Sequence, residues 1–178
     1  KEVIKSVAYP STQVLSQTWN CDLAKLLGKS IGNDCIEQKV DIVLGPGVNI
    51  KRLPTNGRNF EYYSEDSFIS SMMSSSEIKG LKSKGIIVCA KHFALNEQEK
   101  NRRAVSTFAN EQTIREIYLK PFEISITEGG ADSIMSSLNR IGCSSSVVHK
   151  GLLTEVLRNE WGFTGFVESD SAFGLPYI

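Results

Sequence analysis

Four short apolar runs alternate with longer segments of helical periodicity, and this alternation constrains the fold more than any other feature. Continuous apolar runs bounded by turn residues are typical of strands covered on both faces, as in parallel sheets. The segments of helical periodicity are 22–39, 67–84, 110–128 and 150–160. Each is followed by an apolar run, at 41–44, 86–90, 133–137 and 165–169 respectively. This order predicts an α/β fold with a parallel sheet, either a doubly wound open sheet or part of a closed barrel.

The third helical segment carries signals for both its start and an interruption. Asn110 precedes it, and asparagine is a favoured N-cap because its side chain accepts a hydrogen bond from a free backbone N–H. Pro121 lies inside it and lacks a backbone N–H, so we expect a break in the helix near this residue.

Composition excludes several classes of protein. The chain has 178 residues, with 20 Lys and Arg against 20 Asp and Glu, and 40% of its residues are hydrophobic, close to the globular average. The formal net charge of zero argues against a nucleic-acid partner, which requires clustered cations. No run of about 18 apolar residues is present, so we expect no membrane-spanning helix. The chain is shorter than a complete (β/α)₈ barrel of about 250 residues.

The cysteines and histidines form no local motif. Cys21, Cys35, Cys89 and Cys143 make no C-x-x-C pair, so we expect buried, unpaired thiols in a reducing compartment. Because the first residues do not have the pattern of a signal peptide, the sequence favours a cytoplasmic location. The chain has two histidines, far apart in sequence, so no metal site is expected.

Charged residues follow the predicted strands. In parallel α/β folds, functional residues collect just past the C-terminal ends of strands. The segments that follow the four runs contain Arg58, Lys91, His92, Arg102, Arg140 and Asp170. Several cations around one carboxylate suit a polyhydroxylated ligand, because Lys and Arg donate to hydroxyl groups.

Position alone leaves other interpretations open for these residues. Lys91 and His92 would also fit a surface pair, and Asp170 would fit a helix N-cap. The turn at 45–47 (GPG) lacks the G-x-G-x-x-G pattern of a phosphate loop, which disfavours a nucleotide-binding domain.

Four longer motifs carry a family resemblance. They read GPGVNIKR…GRNFEYYSED, KHFALNEQEKNR, NEQTIREIYLKPFE and LLTEVLRNEWGFTGFVESD. In this order and spacing they closely resemble glycoside hydrolase family 3, in its β-glucosidase and β-xylosidase branch. The N-acetylhexosaminidase branch has loops of the KHFPGHG type, which this chain lacks. The resemblance extends over about residues 11–170 and implies an incomplete (β/α)₈ TIM-like barrel.

The resemblance also implies an activity and a site. It implies a retaining exo-acting β-glycosidase that acts on β-glucosides or β-xylosides without a metal or organic cofactor. Asp170 stands at the position of the family's nucleophile. Arg58 and the pair Lys91–His92 would hydrogen-bond sugar hydroxyls beside the cleaved bond, and Arg102 would support that site.

Parts of the family's catalytic machinery have no counterpart in residues 1–178. The family's first barrel strand supplies a sugar-binding aspartate, and a second domain usually supplies the acid/base glutamate. We therefore expect residues 1–178 to form a partial N-terminal catalytic domain with little or no activity of its own. The local glutamates are expected to be structural or peripheral: Glu61, Glu65, Glu97 and Glu99.

Three residues depart from the family pattern. Leu138 replaces a common tyrosine, Ser171 replaces the tryptophan that commonly follows the nucleophile, and Glu168 replaces an apolar residue. On a strand, Glu168 should face the same side as Asp170, and we expect it to pair with a Lys or Arg in the barrel interior. These departures leave a second hypothesis open, a non-catalytic sugar-binding remnant or scaffold of the same fold.

Overall fold

Four parallel strands pair side by side in the order in which they occur along the chain. The computed structural model describes residues 6–170. In chain order and in order of pairing, the strands of the main sheet are β1 (Ile42–Val43), β2 (Ile87–Phe93), β3 (Ser133–Ser136) and β4 (Phe166–Ser169). A doubly wound sheet would reverse its strand order at a switch point. The sequential order is that of a TIM-barrel wall, and the predicted fold class is confirmed.

Strand β2 extends three residues further at its C-terminal end than the sequence predicts. The apolar run ends at Ala90, but the strand continues through Lys91 and His92 to Phe93, with a register shift against β3 between Lys91 and Phe93. Such an irregularity changes the direction in which side chains point. Lys91 and His92 therefore belong to the strand itself and not to the loop that follows it.

The four predicted helical segments are present, and the structure adds one short helix before them, at residues 12–16. The helices are α1 (Thr12–Ser16), α2 (Cys21–Gln38), α3 (Ser67–Lys82), α4 (Glu111–Thr113), α5 (Lys120–Thr127) and a π-helical segment, Gly151–Glu160. Side chains cap several N-termini: Asn20 accepts from two backbone N–H groups of α2, Asp66 caps α3, and Asn110 caps α4 as predicted. Among residues 6–170, none of the helices is long and apolar enough to span a bilayer.

The helix around Pro121 does not break, contrary to the prediction. From α4 the chain winds into a π-helical segment, Ile114–Leu119, and then continues directly as α5, with Pro121 in the first turn. A proline inside a helix removes one backbone hydrogen bond, and the hydrogen-bonding pattern changes to the wider π-helical winding immediately before Pro121. The change in winding before Pro121 therefore replaces the expected break.

A small second sheet, without a sequence signal, lies beyond the ends of β2 and β3. Its strands are Ser106–Thr107, Arg140–Ile141 and Ser144–Ser145, with two 3₁₀ turns elsewhere at Asn59–Glu61 and Ser146–Val148. These strands are short and mostly polar, so no continuous apolar run in the sequence predicts them.

The main core fills the space between the sheet and the helices that cover one face of it. Phe93 of β2 and Phe122 of α5 meet edge to face, with ring centroids 5.1 Å apart. Other buried core residues include Val88, Ala90, Ile134, Leu81, Ile78 and Leu157. This packing holds β2 and β3 in place, and both strands lead into the site described below.

The cysteines agree only in part with the expectation of buried thiols. All four are free, and Cys35 and Cys89 are buried. Cys21 is half-buried and Cys143 is exposed, so the expectation is wrong for Cys143. This residue lies in the tight turn between two strands of the small sheet, where side chains point to solvent.

Helices α2 and α3 touch through two glycines. A Cβ atom on Gly28 would lie 2.1 Å from the carbonyl oxygen of Glu77, and one on Gly80 would lie 2.3 Å from the carbonyl oxygen of Lys25. Both obstacles are backbone atoms of the facing helix, so a side chain could be accommodated only by separating the helices.

We predict that Gly28→Ala destabilises the protein by about 3 kcal/mol, the upper range for overpacking, because the clash is with backbone. Urea unfolding of the protein measures the effect. Gly57→Ala is the matched control, since no atom lies within 4 Å of the position that its new Cβ atom would take. Equal free energies of unfolding for the two variants would contradict the close approach of α2 and α3.

Candidate active site

Asp170 is a buried carboxylate at the end of β4. Its backbone N–H donates to the carbonyl of Ser136 on β3 over 3.0 Å, and the residue is 9% exposed. Among residues 6–170, its Oδ2 has no hydrogen-bond partner. The nearest cationic nitrogen is Nη1 of Arg102 at 3.6 Å, and Nε2 of His92 lies 4.0 Å away. The carboxylate is therefore fixed through its backbone and keeps an oxygen free for a ligand.

His92 is fixed through its backbone and is uncharged. The side chain of Asn49 accepts from the His92 N–H at 2.7 Å and donates to the His92 carbonyl at 2.9 Å. Burial lowers the pKa of His92 to about 2, and the nearby cations Arg58, Lys91 and Arg102 act in the same direction. Hence the imidazole beside Asp170 is neutral at physiological pH.

Arg58 and Lys91 share a carboxylate that is not Asp170. Arg58 Nε donates to Glu61 Oε1, and Lys91 Nζ lies 3.5 Å from Glu61 Oε2. Within the part of the chain that the structure describes, neither cation comes within 4.0 Å of the Asp170 carboxylate. Glu61, which sequence reasoning placed in a structural or peripheral role, holds the two proposed sugar-binding cations side by side.

Arg102 completes the balance of charge. Its Nη1 lies 3.1 Å from Glu99 Oε2, and Glu99 also accepts from the side-chain amide of Asn96 at 3.1 Å. The site then contains three cations and three carboxylates: Arg58, Lys91, Arg102, Glu61, Glu99 and Asp170. With a neutral His92, the formal charges cancel, which suits an uncharged ligand rich in hydroxyl groups.

Arg140 does not join this cluster. It is half-buried in the small sheet, where its backbone N–H donates to the Val105 carbonyl at 3.0 Å. No carboxylate among residues 6–170 lies within ion-pair distance of it. In the same part of the chain, no three His, Cys, Asp or Glu side chains converge as metal ligands.

Glu168 has a different partner from the one expected. Its Oε1 accepts a hydrogen bond from the Cys89 thiol over 3.0 Å, and no Lys or Arg of residues 6–170 forms an ion pair with it. Burial raises the pKa of Cys89 to about 12, so the thiol keeps its proton. The prediction is wrong because Cys89 faces Glu168 across β3, while Lys91 is engaged by Glu61.

The other two residues that depart from the family pattern are Leu138 and Ser171. Leu138 is 8% exposed, in the loop after β3, and provides an apolar surface where the family has a tyrosine hydroxyl. Ser171 lies outside the described residues.

Glu97 and Asn49 are buried members of the site that sequence reasoning missed. Asn49 Nδ2 lies 3.4 Å from Glu97 Oε1, in addition to its two bonds with His92. Burial raises the pKa of Glu97 from 4.5 to about 8. A glutamate in a polar loop sequence carries no signal of burial, because only the folded loop removes it from water.

Comparison with known proteins identifies the family. Residues 2–175 match the model of a protein family described as "Glycosyl hydrolase family 3 N terminal domain". The chain belongs to glycoside hydrolase family 3. The predicted resemblance is confirmed, and the sheet of β1 to β4 is part of the TIM barrel of this family.

The relatives of this family 3 chain include enzymes with different stated substrates. Thermostable beta-glucosidase B from Acetivibrio thermocellus is 42% identical over 167 residues, which are 94% of this chain and 22% of that protein. An exo-alpha-(1->6)-L-arabinopyranosidase from Bifidobacterium breve is 41% identical over the same shares of the two chains, 94% and 22%. Identity alone therefore does not separate the two stated activities.

A solved structure of the family superposes closely. Beta-glucosidase 3B from Thermotoga neapolitana, in complex with glucose, matches with a TM-score of 0.93 and 44% identity, over 96% of this chain and 24% of that chain. The family 3 chain described here thus spans about a fifth to a quarter of the length of the relatives it matches.

We predict that Glu97→Gln removes part of the pH dependence of stability. Between pH 4.5 and about 8, the folded protein keeps the proton on Glu97 and the unfolded chain releases it. Stability therefore falls as pH rises through this window, by on the order of a few kcal/mol in total. Glutamine mimics the protonated carboxyl, so at pH 8 the variant should be more stable than the unchanged protein.

Thermal unfolding at pH 5 and pH 8 measures this effect, with the exposed change Glu37→Gln as the control for loss of one charge. If Glu97→Gln and Glu37→Gln lose the same amount of stability between pH 5 and pH 8, the raised pKa of Glu97 is refuted.

Proposed function

We propose that the protein is a retaining exo-acting β-glycosidase, β-glucosidase-like, that hydrolyses terminal β-D-glycosidic bonds with Asp170 as the nucleophile. The observation that carries this proposal is the position of the buried Asp170 carboxylate. Its Oδ2 lies 3.6 Å from Arg102 and 4.0 Å from His92, with no hydrogen-bond partner in the described part of the chain.

These surroundings suit nucleophilic attack. Asp170 would attack the anomeric carbon as the bond to the leaving oxygen breaks, through a transition state with oxocarbenium character, and form a covalent glycosyl-enzyme. The leaving oxygen takes a proton from the acid/base. Water then attacks the anomeric carbon, gives its proton to the acid/base and releases Asp170. Because His92 is neutral, it can donate a hydrogen bond beside Asp170 without transferring a proton to it.

The cations around Asp170 would bind the sugar. Glu61 occupies Nε of Arg58 and leaves the other guanidinium N–H groups available to hydroxyl groups. Lys91 likewise keeps ammonium N–H groups, since its contact with Glu61 is a single one at 3.5 Å. Together with His92, these residues would orient the sugar ring, and Arg102 would hold the nucleophile. Such donors can strengthen their bonds in the transition state.

The proposal includes partners outside residues 1–178. Retaining hydrolysis needs a second carboxyl group about 5–5.5 Å from the nucleophile, and we assign it to a second glycoside hydrolase domain of the complete protein. Residues 1–178 would then be a partial N-terminal catalytic domain. Appreciable hydrolysis of an aryl glucoside by residues 1–178 alone would contradict this assignment.

The proposed substrate is a β-glucoside or β-xyloside. Relatives described as beta-glucosidases and a neighbouring structure determined in complex with glucose support this class. The chemistry of the proposed mechanism requires no metal or organic cofactor. The balanced charge of the site gives no support to a nucleic acid or an anionic membrane surface as a partner.

We predict that a 2-fluoro-β-glucoside with a good leaving group traps Asp170 in the complete protein. The fluorine slows hydrolysis of the covalent intermediate, so mass spectrometry should find the adduct on the peptide that contains Asp170. Asp170→Asn should abolish the adduct and lower kcat by at least about 10³-fold, the scale for loss of a nucleophile. Asp22→Asn, an exposed change on α2, is the control. An adduct on any other residue would exclude Asp170 as the nucleophile.

We also predict retention of configuration at the anomeric carbon. Two successive displacements should release the β-anomer of the sugar first, and mutarotation should then produce the α-anomer. Proton NMR of the anomeric signals during the first minutes of hydrolysis distinguishes the two. Initial release of the α-anomer would show an inverting enzyme and rule out covalent catalysis by Asp170.

A non-catalytic sugar-binding protein is the second candidate. The buried apolar side chain of Leu138 favours it, because no tyrosine hydroxyl stands at that position beside the nucleophile. Calorimetry with glucose and xylose, paired with a hydrolysis assay on the complete protein, separates the candidates. Binding without turnover would establish the second candidate and exclude the first.

A further inference from the structure

Tyr62 lies behind His92, on the side of the imidazole away from Asp170. Its hydroxyl oxygen is 3.3 Å from Nδ1 of His92, and the rings meet edge to face at 81°. Tyr62 is 0% exposed and His92 is 1% exposed. A Cβ atom on Gly47 would lie 2.9 Å from the Tyr62 ring, so the turn after β1 needs glycine there for the ring to occupy this position.

The contacts of the two rings decide which imidazole nitrogen carries the proton. A neutral imidazole has one N–H, and its other nitrogen is an acceptor. Burial raises the pKa of Tyr62, so the phenol keeps its hydrogen. In the described part of the chain, Nδ1 of His92 is the hydrogen-bond partner of that hydroxyl. If the phenol donates to Nδ1, the imidazole proton resides on Nε2.

The opposite tautomer is unfavourable at both nitrogens of the imidazole. With the proton on Nδ1, the buried phenolic hydrogen would lose its acceptor, which is costly in a dry interior. In addition, the lone pair of Nε2 would face Oδ2 of Asp170 at 4.0 Å, an arrangement of two electron-rich atoms. Both contacts therefore select the tautomer with the proton on Nε2.

We propose that Tyr62 is a positioning residue that fixes His92 as an Nε2–H donor facing Asp170. This proposal rests on the function proposed above. Asn49 fixes the backbone of His92, and Tyr62 fixes the position of its proton. The site thereby presents a neutral donor to a sugar hydroxyl next to the nucleophile. Because its Nε2 carries the proton and the ring is neutral, His92 adds no positive charge to the site and cannot accept a proton at Nε2.

Nitrogen-15 NMR of the complete protein, labelled at histidine, tests the tautomer directly. The signal of His92 is assigned by its loss in His92→Asn. We expect the shift of a protonated nitrogen at Nε2 and that of an unprotonated acceptor at Nδ1, because the two states have widely separated shifts. In Tyr62→Phe, the signals should move towards a mixture of the two tautomers. A proton on Nδ1 in the unchanged protein overturns the proposal.

Kinetics provide the functional readout. Loss of one hydrogen bond that orients His92 should lower kcat/KM for an aryl glucoside about tenfold in Tyr62→Phe. Tyr9→Phe, which removes a phenolic bond to Asp34, is the matched control and should leave kcat/KM unchanged. If Tyr62→Phe keeps both the nitrogen shifts and kcat/KM of the unchanged protein, the positioning role is wrong.

The two proposals fail in distinguishable ways. Trapping of Asp170 together with a proton on Nδ1 of His92 overturns the role of Tyr62 and leaves the glycosidase proposal supported. No adduct on Asp170, together with a proton on Nε2 that shifts in Tyr62→Phe, overturns the glycosidase proposal and supports the tautomer assignment. If Tyr62→Phe fails to fold, the His92 tautomer measured in the unchanged protein still supports or overturns the role proposed for Tyr62.

Discussion

Parallel pairing of consecutive strands is the constraint on which the site depends. Because β2, β3 and β4 run in the same direction and lie side by side, their C-terminal ends meet at one edge. One strand, β3, separates the strand that carries His92 from the strand that leads to Asp170. The hydrogen bond from the Asp170 N–H to the Ser136 carbonyl extends this pairing by one residue. It fixes the backbone of Asp170 just past the C-terminal end of β4.

The second constraint is the cost of burying charge. An unpaired ion in a protein interior is expensive, and buried charges are stable when they are paired and hydrogen-bonded. Here Glu61 pairs with Arg58 and Lys91, and Glu99 pairs with Arg102. These pairs hold the cations of the site in place before a ligand binds. A preorganised set of donors stabilises a transition state without the cost of reorientation.

Much of the fold could be predicted from the sequence because the signals for it are local. The strands are apolar runs of continuous sequence, and Asn110 caps its helix through neighbours in the chain. Two predictions failed, one because the winding of a helix changes locally and one because of a contact between residues far apart in sequence. Pro121 lies in a continuous helix because the preceding turn changes its winding. Glu168 accepts from Cys89, and this contact joins residues 79 positions apart.

The sequence by itself determined the order of strands and helices, the strand ends that carry charge, and the family, because each is written in contiguous residues. Tertiary structure decided which charges pair and which groups stay neutral. Coulomb energy and desolvation depend on distances and burial in three dimensions. The three-residue spacing of Arg58 and Glu61 allows them to pair, but it does not show that Lys91 joins them. In the folded protein, the carboxylate between Arg58 and Lys91 is Glu61, and His92 is a neutral side chain between Tyr62 and Asp170.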